Sequence, residues 1–507
     1  MTNYFFDGLL GEVETSRQFA ELDDGRFYSY QDLLDVSARF ANLLVARGVV
    51  PGDRVAVQVP KSIEAIMLYL ATVRAGAVFL PLNNAYTANE VAYFLEDASP
   101  RLFVCDPTQR DAYAGLCDRL DIGLETLGVW KNPDESAGSI ADDGLHCASE
   151  FENVARAADD LAAILYTSGT TGRAKGAMLT HKNLLSNAEV LVDHWQFSRD
   201  DVLLHALPIF HTHGLFVATN IIIKVGASMI FQRAFKAEQV IEALPRATTM
   251  MGVPTFYTRL LAEPGFKREL VANMRLFISG SAPLLAETHV QFEARCGHRI
   301  LERYGMTETN MNTSNPYQGE RRAGTVGMAL PGTEVRITNP EDGSELDAGE
   351  TGMVEVRGNN VFAGYWQMPE KTAEELRADG FFITGDLGRF DDDGYLHIVG
   401  RSKDLIISGG YNIYPKEIEL LLDDEDGVVE SAVIGVPHAD FGEAVVAVVV
   451  ADPAAVNEIA LLASIREKIA RFKQPRRVFI VDQLPRNAMG KVQKNSLREQ
   501  YAGLFEG

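Results

Sequence analysis

Short apolar runs alternate with helical patterns along this chain, and that alternation limits its fold more than any other feature. Arg54-Val55-Ala56-Val57-Gln58-Val59 reads as a strand, residues 62–74 show helical spacing, and Ala77-Val78-Phe79-Leu80 reads as the next strand. Leu102-Phe103-Val104-Cys105 and Ala162-Ala163-Ile164-Leu165-Tyr166 repeat the theme. This β-α-β rhythm predicts an α/β fold with layered, largely parallel sheets. Neither a short repeat nor a coiled-coil heptad is present.

At 507 residues the chain is too long for one core of ordinary size. A polar, acidic stretch at 132–158 reads as a linker, and a second boundary is expected near Gly400-Arg401-Ser402-Lys403-Asp404. Beyond it, 417–422 and 461–470 read as helices, and 428–436 and 444–450 as strands. That content suits a small α+β domain of about 100 residues. The expected division is a large N-terminal domain over 1–402 and a mobile C-terminal lid over 403–507.

The formal net charge is −23, from 47 Lys plus Arg against 70 Asp plus Glu. Such a surface repels polyphosphate backbones and argues against nucleic-acid binding; its ordinary role is solubility. Anionic substrates must then be met by locally placed Lys, Arg and backbone N–H groups. The four cysteines, Cys105, Cys117, Cys147 and Cys296, form no CxxC pair and no zinc-spaced cluster. They read as reduced thiols of a cytoplasmic protein. The N-terminus lacks the pattern of a signal peptide, no stretch of about 18 apolar residues predicts a membrane span, and Phe505-Glu506-Gly507 is no peroxisomal address.

The strongest local signal is Tyr166-Thr167-Ser168-Gly169-Thr170-Thr171-Gly172-Arg173-Ala174-Lys175-Gly176, which follows an apolar strand. Its glycines allow close backbone approach, its hydroxyls and N–H groups can wrap phosphate oxygens, and Lys175 adds a mobile charge. The GxxxxGK[ST] spacing of a Walker loop is absent. A polar surface turn would not need this density of Ser and Thr ending in Lys-Gly.

This run closely resembles the phosphate loop of the adenylate-forming superfamily, which includes acyl-CoA synthetases, luciferases and adenylation domains. Tyr304-Gly305-Met306-Thr307-Glu308-Thr309 resembles the family's adenine and magnesium motif. Thr384-Gly385-Asp386 resembles its ribose motif, Gly400 to Asp404 its hinge, and Pro485-Arg486-Asn487-Ala488-Met489-Gly490-Lys491 its catalytic-lysine motif. The motifs occur in family order over nearly the whole chain.

The resemblance implies a large domain of layered α/β subdomains with a small barrel-like β part, plus the mobile lid. It implies ATP, Mg2+ and coenzyme A as the small molecules used. A carboxylate oxygen attacks the α-phosphorus of ATP, and fixed cations and donors must meet the charge that gathers there. By resemblance, Lys491 bridges carboxylate and ATP, Thr307 bonds the α-phosphate and Glu308 holds Mg2+. Asp386 accepts the ribose hydroxyls with Arg401 assisting, while Gly280, Ser281, Ala282, Tyr304, Gly305 and Met306 line the adenine side. A thiol then attacks the acyl-adenylate after the lid turns about Lys403, and Gly409 and Gly410 guide the pantetheine. Taken singly, each of these residues would read as an ordinary surface charge or glycine turn.

Leu204-His205-Ala206-Leu207-Pro208-Ile209-Phe210-His211-Thr212-His213-Gly214 places three histidines close together. No Cys or carboxylate accompanies them, so metal binding is disfavoured. His211 matches the family position beside the acyl and thiol channel; His205 and His213 could serve packing or substrate contact. Arg259 and Ser281 resemble the residues with which malonyl-CoA synthetases grip the far carboxylate of malonate. A buried second carboxylate needs a partner, and a guanidinium offers two parallel hydrogen bonds. Arg259 could instead make a surface salt bridge.

The expected activity is therefore AMP-forming ligation of malonate, or methylmalonate, to coenzyme A. An adenylation enzyme loading a carrier protein in trans and a ligase for another small acid stay open. No carrier-like Gly-Gly-x-Ser segment follows Lys491, and a silent nucleotide sensor would be expected to have lost Lys491, Glu308 or Asp386. Acetylation would remove the charge of Lys491, which makes a lysine acetyltransferase and deacetylase acting there an expected partner pair.

Overall fold

The computed structural model of the protein describes residues 2–11, 13–129, 137–167, 174–408, 411–438, 441–453, 456–466, 468–487 and 490–505, with backbone alone at 411–412. Its contacts divide the chain into one unit of Met1–Val335 with Val356–Phe382 and another of Arg336–Glu355 with Ile383–Gly507. The pivot expected at Lys403 falls inside the second unit, in the turn Ser402–Asp404.

The first unit holds two sheets. One runs in the order Gly123–Thr126, Leu102–Cys105, Arg54–Gln58, Val78–Pro81, Leu161–Thr167, Lys175–Thr180. Its neighbours are parallel except the last two, which form an antiparallel hairpin. Successive side chains of a strand point to opposite faces, and a parallel sheet is covered on both. Accordingly Val55 and Val57 enter one core, while Ala56 between them enters another with Leu95 and Cys117. The apolar runs in the sequence are strands of this doubly covered kind.

The second sheet runs Met328–Ala329, Asn310–Ser314, Leu301–Met306, Leu276–Ser279, Thr249–Gly252, Val202–His205, Ser228–Phe231, Gln18–Leu22, Phe27–Ser29. It is parallel from Leu301–Met306 to Gln18–Leu22 and antiparallel at both ends. The helix Ile63–Arg74 is buried at every position. Its charged residues are satisfied rather than solvated: the Tyr28 hydroxyl donates to Glu64 Oε1 at 2.6 Å, and Arg74 donates to Leu34 O and Ser37 Oγ, each at 2.8 Å. Unpaired, such buried groups would cost several kcal/mol.

The linker expected at 132–158 is not one over its described part. Gly138–Gly144 is a helix, and its Ile140 and Ala141 are buried in the main core. Asn42 Nδ2 donates to Ala148 O at 3.0 Å and to Glu150 O at 2.9 Å, so the polar backbone beyond is also tied down. Ile140 and Ala141, with Ala137, Cys147 and Phe151 packed against the same core, and a few satisfied carbonyls suffice to dock a segment whose composition reads as polar. Residues 132–136 lie outside the described residues.

The second unit carries most of a four-stranded sheet, Thr333–Thr338, Gly352–Gly358, Phe382–Phe390, Leu396–Arg401 in that order. This is the β part expected to be barrel-like, and its strand order is open. Inside it Glu355 is fully buried and takes hydrogen bonds from Arg336 Nη2 at 2.8 Å and Thr338 Oγ1 at 2.9 Å. A separate five-stranded sheet pairs Val428–His438 with Gly442–Ala451, Val433 opposite Ala447. Helices Pro415–Asp423, Glu458–Arg466 and Lys494–Tyr501 accompany it. Among the described residues, no helix is long and apolar enough to cross a membrane.

Candidate active site

The phosphate loop joins the two strands of the hairpin in the first unit, and Thr167 pairs with Lys175 across it. Ser168, Gly169, Thr170, Thr171 and Gly172 lie outside the described residues. The strand end is anchored by the Tyr166 hydroxyl, which donates to Asp97 Oδ2 at 2.5 Å. Lys175 Nζ lies 3.1 and 3.3 Å from the two carboxylate oxygens of Glu375 and 4.0 Å from the centre of the Tyr365 ring. The Tyr365 hydroxyl lies 2.6 Å from Glu375 Oε2 and 3.1 Å from Glu308 Oε1. Lys175 and Glu308 are thereby joined through two residues that no sequence motif singled out. Glu375 sits among Glu370 and Glu374 in a polar helix, so sequence alone does not distinguish it.

Glu308 follows the strand Leu301–Met306, in a tight turn back to Asn310–Ser314. A Cβ at Gly305 would lie 1.8 Å from Asn310 O, so this turn requires glycine there. Tyr304 to Thr307 are half-buried and Glu308 is buried. Among the described residues no group of three or more His, Cys, Asp or Glu could hold a metal. A single carboxylate nevertheless fits Mg2+ shared with a nucleotide, because Mg2+ takes one or two carboxylates and completes its shell with phosphates and water.

The strand Leu276–Ser279 ends at Gly280-Ser281-Ala282. Ser281 has φ of 71°, a conformation costly for a residue with a side chain. Its Oγ lies 3.2 Å from Nδ1 of His213, in the π-helical turn His213–Thr219. His213 Nε2 is buried without a partner among the described residues. Burial, helped by Arg303 and then by His211 and His205, pushes His213 well below the usual histidine range, so its ring is neutral.

Arg303 is the residue that sequence reasoning missed. It lies in the middle of the strand Leu301–Met306, is 3% exposed, and has neither Nε nor Nη2 hydrogen-bonded among the described residues. Burial lowers it to about 9. The charge of Glu302 opposes that shift only in part, and a buried guanidinium with two nitrogens lacking hydrogen bonds is costly unless an anion visits it. The available signal was a cation inside an otherwise strand-like run, Leu301-Glu302-Arg303-Tyr304.

His205, expected to serve packing or substrate contact, is buried with protein partners on both ring nitrogens. Its Nε2 is 2.9 Å from Gly214 O, which can only accept, so that nitrogen carries the proton. Its Nδ1 then accepts from Lys61 Nζ at 3.1 Å, and Lys61 also donates to His205 O at 2.8 Å and Gln232 O at 2.7 Å. Both ring nitrogens are engaged by the protein, which favours the packing alternative for this residue. Three acceptors suit an ammonium, although burial draws Lys61 well below its usual range. His211 is half-buried, and its Nδ1 accepts from His213 N at 3.3 Å. Arg259 is exposed in the last turn of the helix Pro254–Ala262 and makes no ion pair among the described residues.

In the second unit Asp386 and Arg401 are cross-strand partners, with Arg401 Nε 2.6 Å from Asp386 Oδ1. Asp386 N donates to Thr384 Oγ1 at 3.0 Å, so the ribose motif fixes the Asp386 backbone while Arg401 holds its carboxylate. Lys403 is exposed beside Asp404, which accepts from Arg498 Nη2 at 2.7 Å. Gly409 and Gly410 lie outside the described residues, between the paired strands Ile406–Ser408 and Tyr411–Ile413. Lys491 is exposed on a loop closed by Asn487 N donating to Lys491 O and Lys491 N donating to Asn487 Oδ1, both at 2.9 Å.

The chain matches the model of the AMP-binding enzyme family over residues 12–366 and that of the AMP-binding enzyme C-terminal domain over 417–491. It is 33% identical to a malonate–CoA ligase of Arabidopsis thaliana, over 94% of this chain and 85% of that one. It is 36% identical to a feruloyl-CoA synthase of an Amycolatopsis species, over 94% of each. The ATP-bound crystal structure of MatB from Rhodopseudomonas palustris superposes with a TM-score of 0.97 at 56% identity, covering both chains fully.

Proposed function

Since this chain belongs to the AMP-binding enzyme family, as an AMP-forming acid:CoA ligase that uses ATP, Mg2+ and coenzyme A, we propose that the acid it activates is malonate. The relatives act on chemically different acids at similar identity, so likeness alone does not choose among them. The observation that carries the choice is the buried guanidinium of Arg303, with Nε and Nη2 not hydrogen-bonded among the described residues, near the Ser281–His213 pair. An aromatic or aliphatic acid would leave that cation unmet, whereas the far carboxylate of malonate pairs with it. Arg303 joins Arg259 and Ser281 as the grip on that carboxylate, with Arg259 acting from the exposed side. A methyl group on the acid changes binding by only about 1–3 kcal/mol, so methylmalonate is the nearest competitor.

In the reaction, the near carboxylate attacks the α-phosphorus of ATP and pyrophosphate leaves. Thr307 and Lys491 meet the charge on the α-phosphoryl oxygens, and Lys175 with Thr167 to Gly172 meets the β- and γ-phosphates. Glu308 would hold Mg2+, which when bound would neutralise phosphate charge. Asp386 with Arg401 takes the ribose, and Gly280, Ser281, Ala282, Tyr304, Gly305 and Met306 the adenine side. The coenzyme A thiol then attacks the acyl carbonyl beside His211, loses its proton and expels AMP. Domains 1–402 and 403–507 turn about Lys403 between the steps, and Gly409 and Gly410 guide the pantetheine. Exposed Lys491 is open to acetylation, which mass spectrometry of the cellular protein would detect.

Incubation with ATP, Mg2+ and a panel of malonate, methylmalonate, acetate and ferulate, with and without coenzyme A, tests the proposal. AMP release that requires coenzyme A and is fastest with malonate is expected. Faster turnover of acetate or ferulate would overturn the assignment.

A further inference from the structure

We propose that Glu375 is a positioning residue of the ATP site, holding Lys175 until nucleotide arrives and, through Tyr365, coupling its release to Glu308. This rests on ATP and Mg2+ use and not on which acid is activated.

Four groups meet at or through one carboxylate. Glu375 Oε1 is 3.1 Å from Lys175 Nζ and 3.0 Å from Lys371 Nζ, and Glu375 Oε2 is 2.6 Å from the Tyr365 hydroxyl. Burial would raise Glu375, but hydrogen bonds from Tyr365 and Lys371 and the charge of Lys175 hold it below the usual glutamate range. It is therefore an anion facing the phosphate-loop lysine. A nucleotide phosphate is also an anion, and Lys175 cannot serve both fully.

The Tyr365 hydroxyl has one proton and two carboxylates in reach, Glu375 at 2.6 Å and Glu308 at 3.1 Å. Only one can receive that proton at a time. When Mg2+ occupies Glu308, that carboxylate no longer competes for it, and Tyr365 donates wholly to Glu375. Glu375 is then compensated for losing Lys175 to the phosphates. Mg2+ at Glu308 and phosphate at Lys175 thus favour each other, and this coupling is reciprocal.

Calorimetric titration of ATP into the whole protein, in EDTA and then in Mg2+, tests this with three variants. Glu375→Gln removes the competing anion, so ATP in EDTA is expected to bind at least about threefold more tightly, the scale of a partly exposed ion pair. Lys371→Met leaves Glu375 with fewer cations, so it grips Lys175 harder and ATP in EDTA binds more weakly. Tyr365→Phe takes a hydrogen bond from Glu375, so it too weakens ATP binding in EDTA, but unlike Lys371→Met it also shrinks the gain that Mg2+ brings. A merely structural role for Glu375 would weaken ATP binding when it is changed. Equal or weaker binding by Glu375→Gln, or an undiminished Mg2+ gain in Tyr365→Phe, overturns the proposal. A wild-type protein that bound no ATP would refute the nucleotide site itself.

Discussion

The guanidinium of Arg303 fills the space that a side chain at Gly280 would take: a Cβ there would lie 2.4 Å from Arg303 Cζ. The clashing atoms belong to a side chain rather than to backbone, so Gly280→Ala displaces Arg303 without breaking the strand. The expected result is a KM for malonate raised about tenfold or more, with a smaller rise for ATP and little change in melting temperature. Steady-state kinetics varying each substrate in turn would show it. An equal effect on both substrates would mean that Gly280 does not act selectively through the acid site.

Arg303→Met separates function from stability. Replacing a buried cation whose Nε and Nη2 lack hydrogen bonds among the described residues by an apolar side chain of similar length is expected to leave the melting temperature unchanged or higher. The same change is expected to cut kcat/KM for malonate by about a hundredfold or more, while ATP affinity holds. Arg259→Leu, which removes an exposed cation, is expected to cost malonate use no more than this. Unfolding curves and acid-dependent AMP release on both variants decide it. Wild-type malonate turnover in Arg303→Met would remove the main support for a dicarboxylate substrate.

What the sequence could tell follows from how each feature is built. Arg54–Gln58, Val78–Pro81 and Leu102–Cys105 were readable because a doubly covered strand must be apolar at successive positions. The strand Lys175–Thr180 was not, since it opens with the Lys-Gly of a loop motif. The docking of Gly138–Gly144 was hidden by its polar neighbours. Thr307, Glu308 and Asp386 could be named because local motifs carry them. Arg303 stood out only weakly, as one cation in a strand. The Lys175–Glu375 pair spans 200 positions, and no local pattern encodes a partner that distant. For His205 the sequence left packing and substrate contact open, because its partner Lys61 is also remote, 144 positions away.

Asp423 gives the second unit a distinct pH response. Burial raises its carboxyl to about 6, against the opposing pull of Lys416 and of Ser431, whose Oγ lies 2.6 Å away. A raised folded-state value means that above pH 6 the folded unit carries a charge it disfavours. Stability from this group therefore rises as pH falls from about 6 toward 3.8, where the unfolded chain also takes up the proton. Asp423→Asn removes that dependence. It is expected to be more stable than wild type at pH 8, by on the order of 1–3 kcal/mol, with the difference shrinking at pH 5. Denaturant melts at both pH values measure this, and a difference that did not change with pH would refute it.

Lys491 is exposed, yet its backbone is held. Asn487 N donates to Lys491 O, Lys491 N donates back to Asn487 Oδ1, and Gln493 N closes the loop on Pro485 O at 2.8 Å. A flexible four-carbon side chain on a fixed loop can deliver a point charge to one place without first ordering its own backbone. That charge is needed while the α-phosphorus is under attack, and it has no part once the thiol attacks the acyl carbonyl. Lys491→Ala is therefore expected to slow acyl-adenylate formation by about 10²–10³-fold, the scale of one lost transition-state donor. Thioester formation from chemically supplied malonyl-adenylate is expected to proceed within about threefold of wild type, since that step keeps its other groups. Asn487→Ala, which frees the loop but keeps the lysine, is expected to fall between wild type and Lys491→Ala in the first step only. Single-turnover measurements of each half-reaction distinguish these outcomes, and an equal loss in both steps would place Lys491 in binding common to the two rather than in the adenylation step.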